Sequence, residues 1–151
     1  MKKIIRLTQE GFDEKEAELA VLQKNRVEAI SELQSARAMG DLSENAAYKV
    51  ARSKLSRIDG RIRFLNKIMR DVVVTQKRSD GRIGIGSVVE IEQNGEKKEI
   101  TIVDGYESDF MRGKISSFSP IGRAMMGKMK DEMIEVMTPK GTVSYTILSV
   151  S

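Results

Sequence analysis

The sequence contains no histidine and no cysteine. Without histidine there is no histidine-based triad, no imidazole metal ligand and no usual acid/base group for neutral pH. Without cysteine there is no disulfide, thiolate zinc site or cysteine nucleophile. Tryptophan is also missing, and aromatics reach only 5 %. No window approaches the roughly 18 apolar residues of a membrane span. The basic start, Met1-Lys2-Lys3-Ile4-Ile5-Arg6, has no apolar stretch of signal length behind it. A soluble cytoplasmic protein is expected. What the chain does have is charge: 32 % of its 151 residues, with 26 Lys and Arg against 22 Asp and Glu, a net of +4. That length allows one or two small domains. Any chemistry falls to carboxylates, Lys, Tyr, Ser or Thr, or is done on a partner. The basic balance makes a nucleic acid, or an assembly containing one, a plausible partner.

Helix breakers are segregated. The only prolines, Pro120 and Pro139, lie late in the chain, and nine of the twelve glycines lie from Gly81 onward. Helix is therefore favoured in the first half and turns in the second. Thr8 is placed to cap a helix running from about Gln9 to Met39. Its seam is Phe12, Lys15, Leu19, Leu22, Arg26, Ala29, Leu33 and Ala36, thickened by Val27 and Ile30. A second helix has the seam Tyr48, Ala51, Leu55, Ile58, Ile62, Leu65, Met69 and Val72. Gly40 stands between them, where a left-handed helix-ending residue belongs. So short a connection makes the arms antiparallel. A rod roughly 40 Å long results, with no room for an internal pocket. Its functional surface is its flank or its tip. Gly60 interrupts the second arm without a reason visible in the sequence.

The second half changes to period two. Ser87–Glu92 alternates, Asn94-Gly95 makes a hairpin turn and Lys98–Val103 returns. Met133–Met137 and Val143–Leu148 form a second hairpin around Pro139-Lys140-Gly141. Between them, Ser119 caps a short helix that starts at Pro120. Polar, basic residues from Val74 to Gly84 read as a linker. The fold class is α+β: an antiparallel helical domain over residues 1–76 and a small globular domain over 77–151.

Charge is uneven as well. Residues 1–76 hold 15 basic and 11 acidic side chains, whereas residues 77–151 hold 11 of each. From Lys49 to Arg70 the second arm carries eight basic residues and one acid, Asp59. Such an imbalance suits either a solvated face or an anionic partner. At the opposite extreme, the turn Gly40–Asn45 holds the carboxylates of Asp41 and Glu44, three residues apart. That spacing fits a capping-box-like helix start with its acids at the positive helix end. It is also compatible with two exposed hard-oxygen ligands, which complete a Mg²⁺ site only if a partner supplies the other ligands.

The segment Gly40-Asp41-Leu42-Ser43-Glu44-Asn45-Ala46-Ala47-Tyr48 resembles the tip motif of the bacterial Gre transcript-cleavage factor family (GreA/GreB). The likeness continues through Ala51-Arg52, Ile58-Asp59-Gly60-Arg61-Ile62, Gly86-Ser87-Val88-Val89, Ser119–Ala124 and Thr138-Pro139-Lys140-Gly141. It thus spans nearly the whole chain in order. The resemblance implies an N-terminal antiparallel coiled coil and a C-terminal domain of FKBP-like fold. It implies docking at the RNA polymerase secondary channel, with the coiled coil reaching the polymerase active centre. Asp41 and Glu44 match the acidic tip residues. They would help hold a weakly bound Mg²⁺ shared with the polymerase, whose active site then hydrolyses the 3′ end of a backtracked transcript. On this reading the chain is not itself an enzyme, binds no cofactor alone and needs neither a membrane nor a small-molecule substrate. Ser119, Pro120 and Ile121 match the segment implicated in polymerase docking, and Lys49 and Arg52 are placed to touch RNA or polymerase. Two tip positions depart from the pattern: Ala47 stands where a third acid is common, and Lys49 where His is common. Gly122 stands where Ala is frequent, a difference expected to matter little. The basic second arm leans towards GreB, Gly60 and Leu42 towards GreA.

Three other readings fit parts of the sequence. A channel binder that inhibits without cleavage would fit the diluted tip acidity. A prolyl isomerase would fit the C-terminal fold, but Tyr106, Phe110, Phe118 and Tyr145 are few for a proline pocket. A plain basic coiled coil would bind nucleic acid alone. The methionines at 125, 126, 129, 133 and 137 are expected to fill core. Gly81–Gly86 lacks the spacing and flanking elements of a dinucleotide loop.

Overall fold

The computed structural model describes residues 3–40 and 44–151. Its contacts divide the chain into two units. One comprises residues 12–71, the other the residues up to Gly11 together with 72–151. The division differs from the expected 1–76 and 77–151 because strand β1 (Ile5–Leu7) pairs in parallel with strand β2 (Val72–Val74). The chain ends that flank the helices thereby join the globular unit.

The helical unit is built from α1 (Gln9–Arg37) and α2 (Ala46–Arg70). Their 29 and 25 residues correspond to roughly 44 and 38 Å. The expected seam is observed. Ala29, Ala36, Ala51 and Leu65 are buried, and Leu19, Leu22, Leu33, Leu55, Ile58 and Ile62 are half-buried between the arms. Two details are corrected. Val27 is 69 % exposed and thickens nothing. Val72 lies beyond the helix in β2, because the helix ends at Arg70 and Asp71 caps it through its N–H to the Ile68 carbonyl.

Cross-arm ion pairs fix the register. Arg61 binds Glu18 through two hydrogen bonds of 2.6 and 2.9 Å, Arg26 binds Asp59 at 2.6 Å and Lys54 binds Glu32 at 2.9 Å. Numbers rise on one arm as they fall on the other, as antiparallel packing requires. The charged seam position Arg26 thus finds its partner in the only acid of α2. These pairs are 28–50 % exposed, so each contributes under about 1 kcal/mol. They select register more than they add stability.

The globular unit carries a five-stranded sheet in the order β5 (Lys114–Ser116), β4 (Glu96–Val103), β3 (Val88–Gln93), β7 (Gly141–Val150), β6 (Met133–Thr138). Within this sheet the β4–β5 pair is parallel and the other pairs are antiparallel. The β3–β4 turn places Asn94 and Gly95 at φ 51° and 81°, the left-handed pair that tight hairpin turns need. One face of the sheet, bearing Val89, Ile91, Ile100, Ile102, Ile134, Val136 and Ile147, packs with Ile83, Ile115 and Met125. Short helix α3 (Pro120–Met125) contributes Met125 and the half-buried Ile121 and Ala124 to that core.

Three expectations fail here. The methionines are not core filler as a group: only Met125 is buried. Met133 and Met137 are 67 and 84 % exposed, because they alternate with Ile134 and Val136 along β6 and so take the opposite face. The expected linker is structured at both ends: Val74 belongs to β2, and Ile83 is fully buried in the sheet core. Five short elements were not anticipated, namely β1, β2, β5 and the 3₁₀ turns Gly105–Glu107 and Phe110–Arg112. Each has three residues, too few to show periodicity.

Candidate functional site

The tip of the hairpin begins where α1 stops. Gly40 takes φ 121°, a conformation costly for any side-chain-bearing residue. Asp41 lies outside the described residues. Glu44 is exposed in a turn, two residues before α2. The cap of α2 is Asn45, whose side-chain oxygen accepts from the Tyr48 N–H at 3.1 Å. The capping-box reading of the tip is therefore corrected: Asn45 performs the capping and Glu44 precedes it. Its carboxylate sits beside the positive end of a 25-residue helix without being consumed by it.

Asn45 has a second bond. Its amide N–H donates to the Ala36 carbonyl at 2.8 Å, across the hairpin. One residue on from Ala36 in α1 and three on from Asn45 in α2, the Arg37 guanidinium lies 5.8 Å from the centre of the Tyr48 ring, within cation–π range. These two contacts form a collar at the root of the acidic turn. Asn45 entered the sequence reading only as a member of a motif. Its preference for N-cap positions was the signal available; its cross-hairpin bond had none.

Behind the collar, Lys49 and Arg52 are exposed on α2. At 100° per residue, Lys49, Arg52, Arg63, Lys67 and Arg70 fall within about 60° of arc. Among the described residues these five form no ion pair, whereas Lys54 and Arg61 are engaged with α1. The basic surplus is thus sorted: one flank neutralised across the hairpin, the other a free cationic stripe. Ala47 is exposed and lines an open groove of about 530 Å³ with Ala36, Met39, Ala46, Val50 and Ala51. Its methyl group leaves that flank of the tip apolar.

A metal test on the donors gives a limited fit. Among the described residues no group of three acidic, His or Cys side chains is assembled for a metal ion. Glu44 is one hard oxygen donor, solvent-facing and without a cage, which suits a shared ion and not a resident one.

The second candidate segment lies in the globular unit. Ser119 caps α3, accepting from the Gly122 N–H at 3.1 Å while its hydroxyl donates to the Ser116 carbonyl at 2.7 Å. Pro120 occupies the first turn and is exposed; Ile121 is half-buried against the core. Gly122 matters more than expected. A Cβ there would lie 2.9 Å from Ser116 C and Ser117 Cα, and closer still to the Ser116 oxygen. Alanine does not fit at this position without a shift of backbone. A cavity of about 700 Å³ in this unit is bordered by Thr8, Glu10, Glu107 and Lys114. Neither of these two cavities has an aromatic wall. No helix among the described residues is long and apolar enough to cross a membrane.

Comparison with known proteins agrees with this geometry. Residues 5–74 match the family described as "Transcription elongation factor, N-terminal", and residues 78–151 match "Transcription elongation factor, GreA/GreB, C-term". Transcription elongation factor GreA of Nitratidesulfovibrio vulgaris is 37 % identical over 150 residues, covering 97 % of this chain and 92 % of its own. The GreA of Thermosipho africanus is 39 % identical over 152 residues, with 99 and 97 % covered. Among solved structures, one titled "Structure of the transcription factor Gfh1" aligns with a TM-score of 0.50 at 28 % identity, covering 99 % of both chains. The long helical hairpin, the sheet domain and the end-to-end match together establish that the chain belongs to the GreA/GreB family of transcription elongation factors.

Proposed function

We propose that this chain inserts its helical hairpin into the secondary channel of bacterial RNA polymerase and stimulates the polymerase to cleave backtracked RNA. The observation that supports this most is the state of Glu44. It is an exposed carboxylate at the extremity of a long hairpin, ahead of a helix already capped by Asn45. With Asp41 it would bring hard oxygen donors to a Mg²⁺ ion otherwise held by the polymerase. Such an ion polarises the scissile phosphate and lowers the pKa of an attacking water. The chain's own part is to deliver carboxylates, orient that water and return an RNA 3′ end to the polymerase. A chain without His or Cys has no need of its own active site on this reading. Lys49 and Arg52, exposed on the same arm, are suited to RNA phosphates or an acidic polymerase surface. Ser119, Pro120 and Ile121 mark the globular unit's docking segment: a capped helix start with an exposed proline on a rigid sheet.

A second reading, inhibition of the polymerase without cleavage, is favoured by one observation, the exposed Ala47 methyl where a further acid would strengthen metal recruitment. Purified halted complexes separate the two. Stimulated shortening of the RNA supports cleavage; slowed elongation with full-length RNA supports inhibition.

A further inference from the structure

We infer that Asn45 is a positioning residue for the acidic tip, acting as a staple that holds the two arms together immediately behind Glu44. The inference rests on the cleavage reading above and adds a residue to it. The two halves of the amide have different partners. The oxygen accepts from the Tyr48 N–H at 3.1 Å and starts α2. The nitrogen donates to the Ala36 carbonyl at 2.8 Å, in the last turns of α1. A cap alone requires only an acceptor, which Asp or Ser supplies equally well. A staple also requires a donor on the same short side chain, and Asn alone among the preferred caps has both in one rigid plane.

Ala36 is where the staple belongs. It is 5 % exposed, and its carbonyl also accepts from the Met39 N–H at 3.2 Å as α1 ends. The Asn45 bond therefore joins α2 to a point that is itself fixed by the core. Glu44 is the residue next to the staple. With the staple intact, the Glu44 backbone is one residue from a hydrogen bond to α1; without it, the arms are joined behind Glu44 only by the weaker Arg37–Tyr48 contact. Aligning a group with a reacting centre is worth much in rate, and displacements near 1 Å cost about a hundredfold. Affinity for the polymerase, spread over the rest of the chain, does not depend on this bond.

Two variants isolate the donor. Asn45→Asp keeps the cap acceptor and loses the donor, but adds a charge. Asn45→Ser keeps a cap acceptor, cannot span to Ala36 with an amide and adds no charge. Each is titrated against halted polymerase complexes, reading maximal cleavage rate and half-saturating concentration separately. Both variants are expected to lose about ten- to a hundredfold in maximal rate while half-saturation stays within about twofold and helical circular dichroism is unchanged. Because the chain has no cysteine, spin labels at the exposed positions Gln34→Cys on α1 and Ser53→Cys on α2 report the inter-arm distance in the free protein, and the distribution should broaden in both variants. Wild-type rate in either variant overturns the staple, as does an unchanged distance distribution. Loss through weaker half-saturation or lost helix overturns positioning in favour of a general structural role. Wild-type protein that stimulates no cleavage refutes the function reading itself, and with it any role in cleavage for Asn45.

Discussion

Replacing Gly11 with alanine is expected to destabilise the protein, although helix propensity alone favours the change by about 1 kcal/mol. Gly11 lies in the first turn of α1, and a Cβ there would fall 2.5 Å from both carboxylate oxygens of Glu107. Side-chain ends usually swing aside from such an intrusion. This one is held. Glu107 accepts from the Thr8 N–H at 3.0 Å and from the Thr8 hydroxyl, lies 3.9 Å from the Lys114 ammonium and has a side chain only 3 % exposed. Moving it forfeits two hydrogen bonds to a charged acceptor, about 1.5–3 kcal/mol each. Subtracting about 1 kcal/mol of helix propensity leaves a net loss of roughly 2–5 kcal/mol. At about 2–4 °C per kcal/mol, melting should fall by about 5 °C or more. Thermal unfolding followed by circular dichroism measures it. A double-mutant cycle locates the cause: with Glu107→Ala already in place, adding Gly11→Ala should be neutral or stabilising. A Gly11→Ala protein as stable as wild type would refute the clash and the pinned carboxylate behind it.

The other glycines and one ion pair give sharper contrasts. Gly60→Ala should stabilise by about 0.5–1 kcal/mol, since only the Arg63 guanidinium comes within 3.9 Å of the added methyl; a lowered melting temperature would contradict this. Gly122→Ala should destabilise by about 1–3 kcal/mol through overpacking against the Ser116–Ser117 backbone, read by denaturant midpoint; a neutral result would mean that α3 shifts freely. Glu18→Gln should cost under about 1 kcal/mol at neutral pH. The Arg61 hydrogen bond holds the Glu18 carboxyl below its usual 4.5, so its contribution is present above that value and lost as pH falls through the lowered one. Wild type and variant should converge in acid; a difference that grows on acidification would contradict the sign.

Much of this architecture was legible from residue order. The hairpin was visible because its seam repeats over many turns, and the β3–β4 turn because Asn-Gly favours the left-handed pair found at 94 and 95. Ser119 and Pro120 announced α3 because cap and first-turn preferences are local chemistry. What failed was non-local. The pairing of Ile5–Leu7 with Val72–Val74 joins segments about 67 residues apart, and nothing in three residues signals it. The methionines at 133 and 137 were misread because composition was considered before the period of the strand. The demands on Gly11 and Gly122 come from a carboxylate and a carbonyl that folding brings in, which residue order does not show. At the tip, the two carboxylates were read directly, but the cap was assigned to them and belongs to Asn45. A helix start admits several capping residues in a short polar run, and only geometry chooses among them.

The cleavage assay on halted polymerase complexes tests the functional reading most directly. Wild-type protein should shorten the RNA in backtracked complexes. The Asp41→Asn, Glu44→Gln double variant should bind the same complexes with unchanged half-saturation and give no stimulated cleavage. Undiminished cleavage by the double variant would contradict the proposal that the tip carboxylates act at the polymerase metal site.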